Sequence, residues 1–292
     1  MICTLCPRQC GAVRDAGTGH GFCRLPETML IARIAPHLWE EPPISGRNGT
    51  GAVFFSGCTL RCVYCQNADI SHRNEGRPFT ARQLADSMER LVDAGMESVS
   101  LITGTAYVPQ ILEALNLYRP PVPVVWNSSG YETVETLRRL EGAVDVYLPD
   151  LKHYSAEMGK LCAAAPDYFE VASAAITEMV RQTGTPVYNE GGIMTRGTLI
   201  RHLILPGLTG ESIRLLDWIA ESLPAGVPVS LMHQYIPCNN VSIPGLTRRI
   251  TNREYRRVRE HMEDLGLPGF LQELLSASED FVPVFNQDES FI

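Results

Sequence analysis

A short apolar or β-branched run followed by a stretch of helical spacing recurs about six times between residues 51 and 232. No other feature of the chain limits its fold as strongly. The runs cover residues 52–56, 98–103, 122–126, 144–149, 199–205 and 227–232. Between most of them, apolar residues return every three or four positions: Leu84, Met88 and Leu91; Ile111, Leu112 and Leu115; Val134, Leu137 and Leu140; Ile176 and Val180; Ile213, Leu216 and Ile219. Strand and helix in alternation require parallel strands joined by right-handed crossovers. A partial barrel or an open doubly wound sheet meets that requirement, and 292 residues suffice for a barrel of about 250. Residues 186–197 carry a turn signal between extended flanks and predict a small hairpin insertion. A last helix is expected over 252–265, closed by Gly266 and followed by Pro268, with no clear period beyond Ser276. The expected organisation is an N-terminal segment over 1–46, the α/β body over 47–250, and a C-terminal helix and tail over 251–292.

Composition narrows the function more than the fold. A net charge of −8 argues against nucleic-acid binding, which needs a basic patch to neutralise phosphates. No run of about 18 apolar residues is present, so no transmembrane helix is expected. Polar residues and cysteines interrupt the first 30 positions, unlike a signal peptide. The expected location is the cytoplasm, where disulfides are uncommon. The nine cysteines are unevenly placed: four lie at 3, 6, 10 and 23, three at 58, 62 and 65, and only Cys162 and Cys238 stand alone. Clusters this tight read as metal sites before they read as bridges.

The run Gly57-Cys58-Thr59-Leu60-Arg61-Cys62-Val63-Tyr64-Cys65-Gln66-Asn67 directly follows the first expected strand. Thiolates at i, i+4 and i+7 in a loop can converge on three corners of a cubane cluster. A four-iron cluster normally takes four thiolates, so three leave one iron open for a substrate, whereas structural zinc wants four closed ligands. Packing cysteines or part of a zinc site are the blander readings. Cys3-x2-Cys6-x3-Cys10-x12-Cys23 supplies four thiolates, enough for a closed site holding zinc or an auxiliary iron–sulfur cluster. The Cys6-x3-Cys10 spacing is looser than a zinc knuckle and leans toward iron. Cys162 and Cys238 read as packing residues, although Cys238 follows the last expected strand closely enough to face the site.

The triplet, with the aromatic Tyr64 just before its third cysteine, resembles the signature of the radical S-adenosylmethionine superfamily. More narrowly, CTLCPRQC at 3–10, GCTLRCVYCQN at 57–67 and PDLKHY at 149–154 resemble the pyruvate formate-lyase-activating-enzyme-related group. The resemblance covers nearly the whole chain. It implies a partial (β/α)6 TIM-like barrel with its site at the C-terminal strand ends, a cysteine-rich metal-binding segment before it, and Cys58, Cys62 and Cys65 on a [4Fe–4S] cluster. In this superfamily the open iron chelates the amino and carboxylate groups of S-adenosylmethionine, and the reduced cluster splits the sulfonium to a 5′-deoxyadenosyl radical that abstracts hydrogen.

The other strand ends supply candidates for holding that cofactor. Thr103-Gly104-Thr105 stands where relatives often carry a GGE-type motif; the glutamate is missing, and backbone carbonyls with Thr105 are left to serve. Asn127 and Ser128, small and polar beside Gly130, permit close approach to a ribose or carboxylate, and the resemblance puts them near the methionyl part. Alternation puts Asp150 and Lys152 on one face, opposite Leu151, and a charge in a barrel interior needs a partner. The resemblance implies that Lys152 binds the cofactor carboxylate, that Asp150 helps orient it or a monovalent cation, and that Arg201 faces the ribose or carboxylate. His202 then points away. His233, Gln234 and Tyr235 close the last expected strand and can line the substrate side. Hydrogen abstraction from a partner glycyl-radical enzyme is the first expected function, and modification of a small molecule or peptide the second. A flavodoxin- or ferredoxin-type electron donor is expected in either case. A non-catalytic iron–sulfur electron carrier is disfavoured by Lys152, Arg201 and the barrel pattern.

Overall fold

The computed structural model describes residues 2–17, 19–239 and 241–271. Its strands are β1 (Met29–His37), β2 (Thr50–Phe55), β3 (Arg77–Phe79), β4 (Ser98–Ile102), β5 (Val124–Ser128), β6 (Val146–Pro149), β7 (Val187–Tyr188), β8 (Met194–Thr198), β9 (Ile200–Leu203), β10 (Val229–Met232) and β11 (Gly269–Leu271). The helices are α1 (Pro42–Ser45), α2 (Ala68–Ser71), α3 (Ala81–Asp93), α4 (Val108–Leu117), α5 (Val134–Arg139), α6 (Ala156–Ala163), α7 (Tyr168–Thr183), α8 (Thr209–Ser222) and α9 (Asn252–Asp264). The first sheet runs β3-β1-β2-β4-β5-β6-β8-β7 and the second β11-β10-β9. β2, β4, β5, β6 and β8 pair in parallel, as do β9, β10 and β11.

The two sheets are one surface. β8 and β9 are separated only by Leu199, whose amide donates to the Tyr147 carbonyl at 2.9 Å. Farther along, Asp150 and Arg201 form a parallel bridge, and the Leu151 amide donates to the Arg201 carbonyl. The run 194–203 therefore borders β6 along one side and then turns to pair with β10 along the other. An α/β fold with a mixed sheet in this order is consistent with a partial barrel.

Local chemistry explains the elements. Thr80 and Gln83 form a capping box that starts α3, after which Leu84, Met88 and Leu91 present one buried stripe to the sheet. The same device, Thr251 with Glu254, starts α9, which ends at Asp264 with Leu265 as its cap. The core between sheet and helices is built on Trp126, Leu101, Val99, Ile111 and Tyr107, all fully buried or nearly so. A second core joins α6 to α9 with β9 and β10 around Tyr168, Ile200, Leu216 and Val258.

Three expectations change. The fifth strand begins at Met194, five residues before the expected 199, because Thr195, Arg196 and Gly197 dilute its apolar content. The 186–197 hairpin exists, turning where Asn189 Oδ1 accepts from the amides of Gly191 and Ile193, but its second arm is the barrel strand β8 rather than an insertion. Residues 29–37, placed in the N-terminal segment, form β1, which pairs antiparallel with β2. The tail past 271, including the stretch beyond Ser276, lies outside the described residues. No helix among the described residues is long and apolar enough to cross a membrane.

His202 ties the joint between the sheets to α8: Nδ1 lies 2.6 Å from the Leu151 carbonyl and Nε2 2.8 Å from Ser212 Oγ. Burial pushes its pKa down from 6.5 to about 4, against the pull of the Leu151 carbonyl. The folded chain thus binds fewer protons at this site than the unfolded chain in that interval. Its contribution is full above pH 6.5 and is lost as pH falls toward about 4. Replacing His202 with Gln should flatten the pH dependence of unfolding free energy in that window by up to about 1.4 kcal/mol per pH unit, measured by urea unfolding at several pH values.

Candidate active site

A cavity of about 870 Å³ is lined by the strands and the loops at their ends, and is partly open to solvent. Cys58, Cys62 and Cys65 line one end, in the loop between β2 and α2. The loop leaves β2 through Gly57 at φ +82°, where a Cβ would lie 2.4 Å from Leu25 Cδ2, so only glycine makes the turn unstrained. The amides of Leu60 and Arg61 point at Cys58 Sγ, 3.3 and 3.5 Å away, and Ser71 Oγ donates to Cys65 Sγ at 3.2 Å. Cys62 is buried. Burial raises the thiol pKa of Cys62 and of Cys65; Cys58 raises both further, and Lys152 pulls them down. Three sulfurs that sense one another, met by amide and hydroxyl donors, suit ligands to a positively charged metal group, which would remove the penalty for the thiolate form. Tyr64 is buried between His153, whose Nε2 lies 3.1 Å from its hydroxyl, and the edge-on ring of Tyr235.

The same cavity is lined by a network of paired charge that reaches the thiols through Lys152. Lys152 Nζ donates to Asp150 Oδ2 at 2.6 Å. Arg201 donates through Nε to Asp150 Oδ1 at 2.9 Å and through Nη2 to Asn127 Oδ1 at 2.7 Å. The Asn127 amide in turn donates to both oxygens of Glu40, at 3.0 and 3.1 Å. Burial alone would raise the Asp150 carboxyl, but Arg201 and Lys152 outweigh it and hold the pKa below the ordinary value. For Lys152 burial works downward, and Asp150 and Cys62 reverse it.

The strand alternation decides which candidates share this cavity. Asp150, Lys152, Arg201 and Gln234 line it, as do Thr103, Asn127 and Ser128. His202 lies on the opposite face of β9 from Arg201, and His233, just past β10, is likewise absent from the lining that Gln234 joins. His233 packs on Tyr255, its two ring nitrogens buried without a hydrogen-bond partner. Gly104 and Thr105 are also absent from the lining; Thr105 Oγ1 donates to Glu132 at 2.8 Å. Glu132 is a buried carboxylate that also accepts from Trp126 Nε1 at 3.0 Å and Ser128 Oγ at 2.7 Å, fixing the ends of β4 and β5. Sequence reading passes over it, since a lone glutamate after Gly130-Tyr131 carries no period. Glu40 and Glu41 are also missed, because an acidic pair before Pro42-Pro43 reads as a solvated turn.

The N-terminal thiols gather beside the triplet loop. Burial pushes Cys6 up to about 12, with Cys23, Cys3 and Cys10 each adding to the rise. Among the described residues, no group of three or more His, Cys, Asp or Glu side chains is arranged to hold a single metal ion, and the expected four-cysteine site is not closed. The segment is nevertheless fastened. Arg8 donates to the carbonyls of Thr59 (2.9 Å) and Leu60 in the triplet loop, and of Ala163 (2.6 Å) and Ala164 after α6. Its guanidinium stacks 3.9 Å from the Phe22 ring centroid.

A barrel that lines a charged cavity beneath the ends of its strands defines the class, an α/β enzyme. A crystal structure of a radical SAM methyltransferase from Sphaerobacter thermophilus shares the fold at a TM-score of 0.50 and 15% identity, over 76% of this chain and 66% of that one. The chain belongs to the radical S-adenosylmethionine superfamily, whose sequence model matches residues 52–219, and it is an enzyme of S-adenosylmethionine-cleaving radical chemistry. An uncharacterized protein of Methanocaldococcus jannaschii is 30% identical over 276 residues, covering 91% of this chain and 75% of that protein. A pyruvate formate-lyase-activating enzyme of Clostridium pasteurianum is 27% identical over 212 residues, 67% of this chain and 79% of that enzyme.

Arg8 fastens both the triplet loop and the turn after α6. Arg8→Ala should raise amide exchange in residues 58–62 at least tenfold while leaving α3 protected, as read by hydrogen–deuterium exchange mass spectrometry. Arg8→Lys should restore only part of the protection, because an ammonium lacks the planar fork that reaches several carbonyls at once.

Proposed function

We propose that Cys58, Cys62 and Cys65 ligate three irons of a [4Fe–4S] cluster, and that the cavity beside them binds S-adenosylmethionine. The observation that carries this reading is the convergence of three thiols and the Lys152–Asp150–Arg201 network on one cavity. When bound, the reduced cluster supplies the electron that splits the sulfonium and yields the radical that abstracts hydrogen. The chain's own residues do the rest. The amides of Leu60 and Arg61 and the Ser71 hydroxyl stabilise the thiolates. Lys152 offers its ammonium to the cofactor carboxylate, and Asp150 keeps that ammonium charged and aimed. Asn127, Ser128 and Thr103 offer polar contacts to the remainder, with Tyr64 forming part of the wall. The surrounding strands limit the water that reaches a reactive intermediate.

We take the reactant to be a small molecule or a peptide, a reading supported by the room in the cavity. Sites for single small ligands span roughly 300–1,000 Å³, and 870 Å³ lies toward the top of that range. Activation of a glycyl-radical enzyme is the second reading, and the similarity to the Clostridium pasteurianum enzyme favours it. A flavodoxin- or ferredoxin-type protein is the proposed electron donor. Cys3, Cys6, Cys10 and Cys23 are proposed as a second metal site, for zinc or an auxiliary cluster, supported by four thiols within electrostatic reach of one another.

Anaerobically reconstituted protein with a chemical reductant should release 5′-deoxyadenosine, and Cys58→Ala, Cys62→Ala or Cys65→Ala should abolish that release. Cleavage retained in any of the three would overturn the assignment. Lys152→Ala removes one charge-assisted hydrogen bond of about 1.5–3 kcal/mol, so S-adenosylmethionine affinity should fall roughly 10- to 100-fold. The cluster absorbance should be unchanged, with equilibrium dialysis and visible spectra as the two readouts.

A further inference from the structure

The segment from His37 to Gly46 lines the cavity, starting beside the first residues of β2 and β4: His37 pairs with Thr50, and Ser98 Oγ donates to the Ile44 carbonyl at 2.9 Å. Its acidic side chains reach farther along the strands. Glu40 meets Asn127, which is level with Ile102 and Phe54, and Ser230 beside Glu41 pairs with Arg201 in the sheet.

Carboxyls crowd this floor, and burial pushes both Glu40 and Glu41 up, Glu41 to about 7. The cavity is lined by three carboxylates, Glu40, Glu41 and Asp150, against two permanent cations, Lys152 and Arg201. His37 also lines it, but burial and the nearby Arg33 and Arg201 push its pKa down to about 4, so it is neutral at pH 7. Asp150 takes Lys152 and the Arg201 Nε, and Glu40 takes the Asn127 amide with Arg201 Nη1 at 3.8 Å. Glu41 is left over. It precedes α1 without using its side chain as a cap. It is only 7% exposed, yet its Oε2 has no hydrogen-bond partner. Ser230 stands in hydrogen-bonding reach of the same carboxylate. A carboxylate buried this way is costly unless something pairs with it.

We propose that Glu41, with Ser230 and Glu40 beside it, receives an ammonium or guanidinium group carried by the hydrogen-donating substrate. The proposal rests on the reading that the thiol end of this cavity holds S-adenosylmethionine. The same cavity offers apolar walls for an organic body: Trp39, Phe54, Leu203, Met232 and Phe270 all line it. A bare divalent ion fits poorly, since it asks for about six oxygen ligands and no cluster of three or more ligating side chains is arranged for one among the described residues.

The test uses the full chain, anaerobically reconstituted and saturated with S-adenosylmethionine, titrated in a calorimeter with three probes that share one ring. These are 2-phenylethylamine, 2-phenylethanol and 3-phenylpropionate. The amine should bind at least tenfold more tightly than the alcohol or the acid. Glu41→Gln should erase that preference, while Glu41→Asp should keep part of it. Equal binding of the three probes, failure of the amine to bind, or a preference that survives in Glu41→Gln would each overturn the proposal. A parallel loss of S-adenosylmethionine affinity in Glu41→Gln would overturn it too, by assigning Glu41 to the cofactor. The wild-type preference needs no variant to fold. A wild-type chain that shows the preference but releases no 5′-deoxyadenosine sinks the cofactor reading and leaves the cation site standing.

Discussion

A guanidinium sunk in the barrel cannot be left without acceptors, and the arrangement of the site follows from how Arg201 is satisfied. Its donors reach β6 through Asp150, β5 through Asn127, and the floor segment through Glu40. Each partner comes from a different element, so the charge sets the relative height of three pieces of backbone that share no covalent neighbour. Removing one member of such a buried set typically costs about 3–5 kcal/mol, because it strands the remaining charge. The same network leaves Lys152 with a single carboxylate contact, a side chain held in place yet still able to take another partner.

The strand ends above this network are held by side chains from outside the cavity. Glu132 gathers three donors from β5 and the turn after β4. The Tyr168 hydroxyl on α7 sits 2.9 Å from the Ser129 carbonyl and 2.8 Å from the Asp150 carbonyl, and accepts from the Lys152 amide. Gly130 lets these ends approach: at φ +72°, a Cβ there would fall 2.4 Å from the Asp150 carbonyl. Between the clamps, Thr103 adopts φ +62°, a conformation that β-branched residues avoid. Strain of that kind costs on the order of 1–3 kcal/mol and persists where the surroundings over-determine it. Here it turns the chain out of β4 at the cavity wall.

Much of this was legible in the sequence because periodicity is a statement about faces. Runs such as 98–103 and 144–149 carry apolar or small residues on both faces because both faces of those strands are covered, and helical spacing between them forces the parallel order. The alternation that sets Arg201 apart from His202 also sets Gln234 apart from His233, although β10 ends at Met232 and the pattern had to be carried past the strand. What escaped has no period to follow. β1 contains Arg33 and Pro36 and pairs antiparallel, so it lacks the signature of its neighbours. Glu40, Glu41 and Glu132 are single acidic side chains whose meaning depends on burial. Burial depends on contacts that can span much of the chain, as when Asn127 meets Glu40 at a separation of 87.

The Arg8 contacts have a consequence for the order in which the protein is made. The thiols at positions 3 to 23 leave the ribosome well before the carbonyl of Ala163 that anchors the segment, which lies 155 residues behind Arg8. The loop carbonyls of Thr59 and Leu60 appear earlier, but without the turn after α6 they offer the guanidinium only half its acceptors. Arg61, Asn74, Ala106 and Thr136 already hold other parts of the segment by then. The contacts around Arg8 are therefore completed last, once α6 has been synthesised, so the seat of the cysteine-rich segment on the triplet loop is finished late in synthesis.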